Sequence, residues 1–343
     1  MCPFVSIIMV VYNGEMYLQK SLSAIAAQTF RDFELVFVNN GSTDNTETIF
    51  YDFRTENPSV TTNYVRISLN DGLPKGRNAG IDHACGTYLM FHDVDDWMDP
   101  DCLEVLADAA QVNPADRIIQ STRYINSTGT VRSELELTKN ASRWSKNSLQ
   151  GDLFLRKTIQ DHHIRFSANA YFDDFYFTNQ FCSYSMSSHI ICESHYNMLL
   201  HNASMTHRFN GDPTYFIERL KNTFSEMQDI AERLTSKDEK AHYEYNCIQK
   251  YYTSVFGGIN LSLKQKIQVY LAFKHIMQNY YPRYLSNDMV TLFAENGFYG
   301  SFKRNIWICT ICEKIDNVLH IPLLMSAVLI TYHIALKTGT YKY

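Results

Sequence analysis

Five aspartates stand where their spacing could do chemistry. Asp93, Asp95 and Asp96 fall on four consecutive positions in "YLMFHDVDDWMDP", directly after an apolar run, and Asp173 and Asp174 are adjacent in "YFDDFYF". Like charges this close repel, so folding gains little from them. Hard oxygen donors grouped in this way suit Mg²⁺ or Mn²⁺, which takes one or two carboxylates together with phosphate oxygens. A second acidic pair, far along the chain, suits a proton acceptor working apart from the cation. The plainer alternatives are a solvated acidic loop in which Asp99 caps a helix, and a helix N-terminus where Asp173 and Asp174 favour the dipole. Ahead of both clusters in the chain lie a turn, "NNGSTDNT", and a loop carrying Arg77, "GRNAG".

Such residues need a frame that gathers strand ends. "VSIIMVV" (Val5–Val11) is an apolar run rich in β-branched residues and predicts a buried strand. After "YNG", Leu18, Leu22, Ile25 and Ala26 recur with helical period. "ELVFV" (Glu34–Val38) predicts a second strand; Gly41 allows a sharp turn after it, and Ser42 or Thr43 is expected to cap the next helix. "YVRIS" and "TYLMFHD" predict two more strands. This alternation predicts an α/β class, a mostly parallel sheet with helices on both faces. Ligands on such sheets bind outside the carboxyl ends of the strands, where Asn39–Asp44 and Asp93–Asp96 fall. From about residue 213 the pattern is helical and tyrosine-rich, so the expected division is 1–210 and 211–343.

Several segments, in order, resemble the family 2 glycosyltransferases over residues 4–208: "VSIIMVVYNGEMYLQKSL", "AAQTFRDFELVFVNNGSTDNT", "GRNAGIDHACGTYLMFHDVDDWMDPDCLE", "FLRKTIQDHHIRF", "YFDDFYF" and "HYNMLLHNASMT". The resemblance implies a Rossmann-like GT-A domain followed by a helical C-terminal region. It also implies metal-dependent, inverting transfer of a hexosyl or N-acetylhexosaminyl group from a nucleotide sugar, UDP-linked by preference. By position, Val10, Tyr12, Asn13 and Asn40 would hold base and ribose, and Arg77 would lie near the base or phosphates. Asp93 and Asp95 would contact ribose or donor sugar, and Asp96, assisted by Asp95, would bind Mn²⁺ or Mg²⁺. Asp174 would be the general base, with Asp173 orienting the acceptor. The implied acceptor is a glycan or lipid-linked oligosaccharide of bacterial surface-polysaccharide assembly, such as capsule or lipopolysaccharide. Three positions depart from the family pattern: Asn40 stands where Asp is usual, Val10 where Pro or a small residue is common, and Leu199 where Arg often follows the tyrosine run.

The 343 residues carry a formal net charge of -5, which argues against a general nucleic-acid binder. The charge is uneven: residues 246–343 hold 10 Lys and Arg against 4 Asp and Glu. The apolar run Ile321–Leu336 beside this basic excess suits a core helix or a helix lying on an anionic membrane surface. Eight scattered cysteines and no basic, cleavable leader lead to the expectation of a cytoplasmic protein, peripheral on the inner face of the membrane. Two rival readings are a nucleotidyltransferase, for which "VVYNGEMY" lacks a glycine-rich basic phosphate loop, and a catalytically inactive partner subunit, which the Asn40 departure allows.

Overall fold

A computed structural model describes residues 2–139, 141–170, 172–201, 213–257, 262–289 and 301–319, together with 325 and 328. The strands are β1 (Val5–Val11), β2 (Phe33–Asn40), β3 (Thr61–Ile67), β4 (Tyr88–Phe91), β5 (Trp97–Met98), β6 (Arg117–Gln120), β7 (Thr122–Asn126), β8 (Val131–Leu135), β9 (Leu153–Leu155), β10 (Ser188–Ile191) and β11 (Tyr196–Leu200). Between them run helices α1 (Glu15–Ala26), α2 (Thr46–Glu56), α3 (Leu73–His83), α4 (Cys102–Val112), α5 (Arg156–Asp161) and α6 (Asp173–Tyr184). The chain packs as two units: Met1–Ala168 with Asp173–Asn202, and Asn169–Phe172 with Ala203–Tyr343.

In the first unit a seven-stranded sheet has the order β10-β6-β9-β4-β1-β2-β3. Its pairs are parallel except those of β9, which runs antiparallel to both β4 and β6. All eight residues of β2 are buried, as a central strand covered on both faces requires. Alternation splits the core in two. Val5, Ile7, Met9 and Val11 pack on one face with Leu18, Leu22 and Phe50. Ile8, Val36, Val38 and Phe91 pack on the other with Ile81 and Phe177. Helix α3 lies very close to β1: a Cβ on Gly80 would stand 2.3 Å from Ile8 Cγ2, and one on Gly76 2.5 Å from Val10 Cγ1.

One feature differs from the expectation. Ser42 and Thr43 do not cap α2. The Asn13 N–H donates to Ser42 Oγ at 3.0 Å, and Thr43 N–H donates to Asn13 Oδ1 at 2.8 Å, so these residues tie the ends of β1 and β2 together. The start of α2 is held instead by exchange with α1, Glu15 N–H to Asp44 at 3.0 Å and Asn45 N–H to Glu15 at 3.0 Å. The mostly parallel sheet holds one antiparallel strand, β9. Because it runs against β4, its first residues lie at the carboxyl end of β4, and the loop before it reaches the acidic cluster. A second sheet, β5-β11-β7-β8, supports that cluster from another side.

The second unit is helical: α7 (Pro213–Glu226), α8 (Gln228–Arg233), α9 (Lys237–Gly257), α10 (Leu263–Tyr280) and a helix at Ser301–Leu319. Glu313 is fully buried there and accepts hydroxyls from Tyr251 at 3.1 Å, from Tyr252 at 3.0 Å and from Tyr284. No helix among the described residues is long and apolar enough to cross a membrane. Nearly all of the run Ile321–Leu336 and the expected boundary near residue 210 lie outside the described residues.

Candidate active site

The carboxyl ends of β1, β2 and β4 carry the expected polar groups. Tyr12 is 46% exposed just beyond β1, and Asn13 adopts a left-handed φ of 51° at the turn. Val10 is half-buried against α3. At the end of β2, Asn40 is buried, and its amide donates to Asn70 Oδ1 and to Gly72 O, both at 3.2 Å. Asn70 Oδ1 also accepts the Gly72 N–H at 3.0 Å, which fixes that oxygen as an acceptor. The Asn40 amide therefore cannot reverse, and its Oδ1 is left buried with no hydrogen-bond partner among the described residues.

The two acidic clusters, separate in sequence, meet here. Arg77 is only 2% exposed and bridges them. Its Nη2 lies 3.1 Å from Asp93 Oδ1, and its Nη1 lies 2.8 Å from Asp173 Oδ2 and also pairs with Asp174 Oδ1. Burial works against the guanidinium charge, but Asp174, Asp173 and Asp93 outweigh it and hold the group charged. Gln150, in the loop before β9, closes the ring. Its Nε2 donates to Asp93 Oδ2 at 2.8 Å and to Asp174 Oδ2 at 2.9 Å. Burial pushes Asp173 up to about 6, with Arg77 pulling against it and Asp174 and Asp93 adding to it. Burial raises Asp93 as well, again opposed by Arg77. Of the pair on α6, Asp174 is the more open, with 31% of its side chain exposed against 19% for Asp173.

Asp96 does not face the crevice. Its Oδ2 accepts the Tyr196 hydroxyl at 3.0 Å and its Oδ1 accepts the Leu199 N–H at 2.9 Å, and the residue is 2% exposed. Burial, with Asp93 and Asp95 close by, holds its carboxyl well above the usual range. With both oxygens held under cover, this group, expected from the sequence to bind the metal, ties β11 to the acidic loop. The register of β11 against β5, Tyr196 opposite Met98 and Asn197 opposite Trp97, carries the chain on past Asp96 to Asp95. There His201 Nε2 lies 2.7 Å from Asp95 Oδ2, while its Nδ1 faces the Tyr17 hydroxyl at 3.3 Å.

His92 behaves as a strut. Its Nε2 meets Ser21 Oγ at 2.7 Å, and burial lowers its pKa to about 3, so it stays neutral. Trp97 packs beneath Lys20, whose ammonium lies over the ring. Among the described residues, Asp99, Asp101 and His195 also have cation-binding spacing. Asp99 is already engaged there, by Arg123 and by the Asn197 amide at 2.9 Å.

Gln150, Tyr196 and His201 were not singled out by sequence reasoning. Gln150 sits in an irregular loop with no periodic signal. Tyr196 and His201 lie in "HYNMLLHNASMT", where nothing local indicates that they reach back to the acidic loop.

Comparison with known proteins gives three kinds of likeness. The model of the family described as "Glycosyl transferase family 2" matches residues 6–177. Glycosyltransferase GlyA of Streptococcus pneumoniae is 38% identical over 102 residues, covering 30% of this chain and 14% of that protein. Chondroitin synthase of Pasteurella multocida is 29% identical over 164 residues, covering 48% of this chain and 16% of that protein. The matches thus take in only a small part of these relatives. The crystal structure of S. aureus TarS 1–349 in complex with UDP-GlcNAc superposes with a TM-score of 0.69 at 18% identity, over 94% of this chain and 93% of that one. At that identity the likeness is one of fold.

Proposed function

The chain belongs to glycosyl transferase family 2, and from that premise we propose that it is a metal-dependent inverting glycosyltransferase using a UDP-linked donor and a glycan acceptor. The observation that carries this reading is the meeting of Asp93 and Asp174 across Arg77 and Gln150 at the carboxyl ends of the strands. Direct displacement needs one carboxylate at the acceptor oxygen and separate neutralisation at the leaving group. Asp174 takes the proton of the acceptor hydroxyl. That oxygen bonds to the anomeric carbon from the face opposite the nucleotide, and the bond to the diphosphate breaks with its electron pair leaving on phosphate. Each oxygen of Asp174 keeps a second lone pair beside the hydrogen bond it already accepts. Asp173 holds Arg77 and orients the acceptor side.

Asn40 supports a uracil donor. Its acceptor oxygen at the end of β2 is locked in orientation and covered in the structure; once a base displaces that cover, it suits the uracil N3–H and opposes the cytosine N3, itself an acceptor. Val10, Tyr12 and Asn13 frame the same end of the sheet, toward the base and ribose, and Asp93 lies on the donor side.

Asp95 and His201 fit a divalent cation. A half-buried carboxylate beside an imidazole nitrogen favours Mn²⁺ over Mg²⁺, since Mg²⁺ keeps to oxygen donors. A cation held by these two residues supplies positive charge to the departing diphosphate. The role first expected of Asp96 passes to Asp95.

We assign the catalytic role to residues 1–210, and acceptor or membrane docking to 211–343 on the strength of the basic excess within 246–343. Relatedness to a chondroitin synthase supports a polysaccharide acceptor, and a lipid-linked one would place the protein on the inner face of the cytoplasmic membrane. Release of UDP from a panel of UDP-sugars, with Mn²⁺, with Mg²⁺ and in EDTA, tests the reading. Turnover with at least one donor is expected, strongest with Mn²⁺. Full turnover in EDTA would remove the metal from the reading.

A further inference from the structure

Gln150 is tied into the fold from below. Its carbonyl accepts from Lys146 Nζ at 3.0 Å, and Lys146 pairs with Asp152 Oδ1 at 2.7 Å. Asp152 Oδ2 in turn takes Arg117 Nη2 at 2.7 Å, and all three of these charged groups are buried. Gln150 also bridges to the backbone of Phe91, the last residue of β4 before the acidic loop. Its place beside Asp93 is therefore set by a rigid support.

The side chain makes an unusual choice. A primary amide has two N–H groups, and here they reach one oxygen of Asp93 and one of Asp174. The amide cannot reverse, because Oε1 would then face two carboxylates. Oε1 is left buried without a hydrogen-bond partner among the described residues, and Gln150 is only 4% exposed. A buried acceptor without a donor destabilises the fold. A leucine or methionine would fill this space without that cost, so packing does not account for a glutamine here.

Its contacts do account for it. Arg77 holds one oxygen of Asp174, which alone leaves the carboxylate free to turn about that contact. A second tether on the other oxygen fixes its plane, and the same nitrogen fixes Asp93. Being neutral, the amide does this without bringing a second cation beside Arg77. We infer that Gln150 is a positioning residue of the transfer reaction, holding the proton-accepting carboxylate of Asp174 in register with the donor-side carboxylate of Asp93. The inference rests on the function proposed above.

Gln150→Leu and Gln150→Met keep the volume and remove both tethers. Misplacing a reacting group by a fraction of its working distance costs on the order of 10–100-fold in rate. A fall of that size in transfer kcat is expected for both variants. The calorimetric Kd for the UDP-sugar should stay within about threefold of wild type, and the melting temperature should hold or rise. Wild-type kcat in either folded variant overturns the inference. So does a kcat loss matched by an equal loss of donor affinity or of melting temperature, and so does failure of both variants to fold, which would make Gln150 structural. Asp174→Asn measured alongside separates the two levels. Full activity in that variant brings down the reading of the site, whereas an inactive Asp174→Asn beside a normal Gln150→Leu brings down the role of Gln150 alone.

Discussion

At the scale of single residues, the site depends on which lone pairs are left over. Asp174 is engaged on both oxygens yet is the more open of its pair, and Asp173 lies deeper against Arg77. Asp174→Asn is expected to lower transfer kcat by about 10²–10⁴-fold, the usual loss with a general base, while donor Kd is retained. Asp173→Asn should keep measurable turnover. Reversal of the two outcomes would hand the base role to Asp173. The locked amide of Asn40 makes a second prediction. Its oxygen can accept but its nitrogen is committed to Asn70 and Gly72, so calorimetry should show UDP binding at least about tenfold more tightly than CDP, the worth of one hydrogen bond. Equal affinities would mean that Asn40 does not read the base.

At the scale of elements, the site is set by how closely α3 approaches β1 and by the direction of β9. Gly76 and Gly80 let the helix lie directly on Val10 and Ile8, which brings Arg77 under the acidic loops. A methyl group on Gly80 would meet the branched, fully buried side chain of Ile8, which has no room to turn aside. Gly80→Ala should therefore cost about 1–3 kcal/mol, typical of overpacking, and lower kcat through displacement of Arg77. Denaturant unfolding and turnover measured together check this; unchanged stability would show that α3 shifts freely. The antiparallel β9 has the complementary effect. Inserted between β4 and β6, it returns the chain to the carboxyl end of β4 and delivers Gln150 there, while the register of β11 on β5 delivers Tyr196 and His201.

At the scale of the whole molecule, each packing unit carries its own buried charge. In the helical unit the carboxylate of Glu313 accepts three tyrosine hydroxyls, and burial still raises its pKa above the ordinary 4.5. A carboxyl raised in the folded state contributes stability that is present below pH 4.5 and is lost as the pH climbs through the raised value. Glu313→Gln, neutral at every pH, should therefore melt higher than wild type at neutral pH, with the gap closing on acidification. A lower melting temperature at neutral pH would mean that the tyrosine hydrogen bonds outweigh the burial of charge. The four residues Asn169–Phe172 pack with this unit immediately before Asp173, where the Ala170 carbonyl accepts from Arg219 at 2.8 Å. The basic C-terminal excess leads to a further expectation: deleting 321–343 should reduce flotation with anionic liposomes, and equal flotation of both forms would argue against a membrane surface.

The sequence by itself determined the parts whose signal is local. Val5–Val11 is a strand in the structure with the bounds read from its apolar run, because a strand buried on both faces is apolar along nearly its whole length, here all but Ser6. Leu18, Leu22 and Ile25 are buried as their helical period requires. The triple aspartate after β4 could be found because three charges within four positions are visible without a fold. Tertiary structure alone decided which of those charges faces outward. Asp95 and Asp96 are neighbours in the chain, yet Asp96 is turned under the loop by Tyr196 and Leu199, and Asp95 is met by His201. Spacing along the chain cannot carry that information, because the partners come from a distant strand whose register is fixed by pairing with β5 and β7. Gln150 was hidden for the same reason: it reaches Asp93 only because β9 runs backwards through an otherwise parallel sheet, and strand direction is settled by packing and hydrogen bonding across the sheet rather than by the residues of the loop itself.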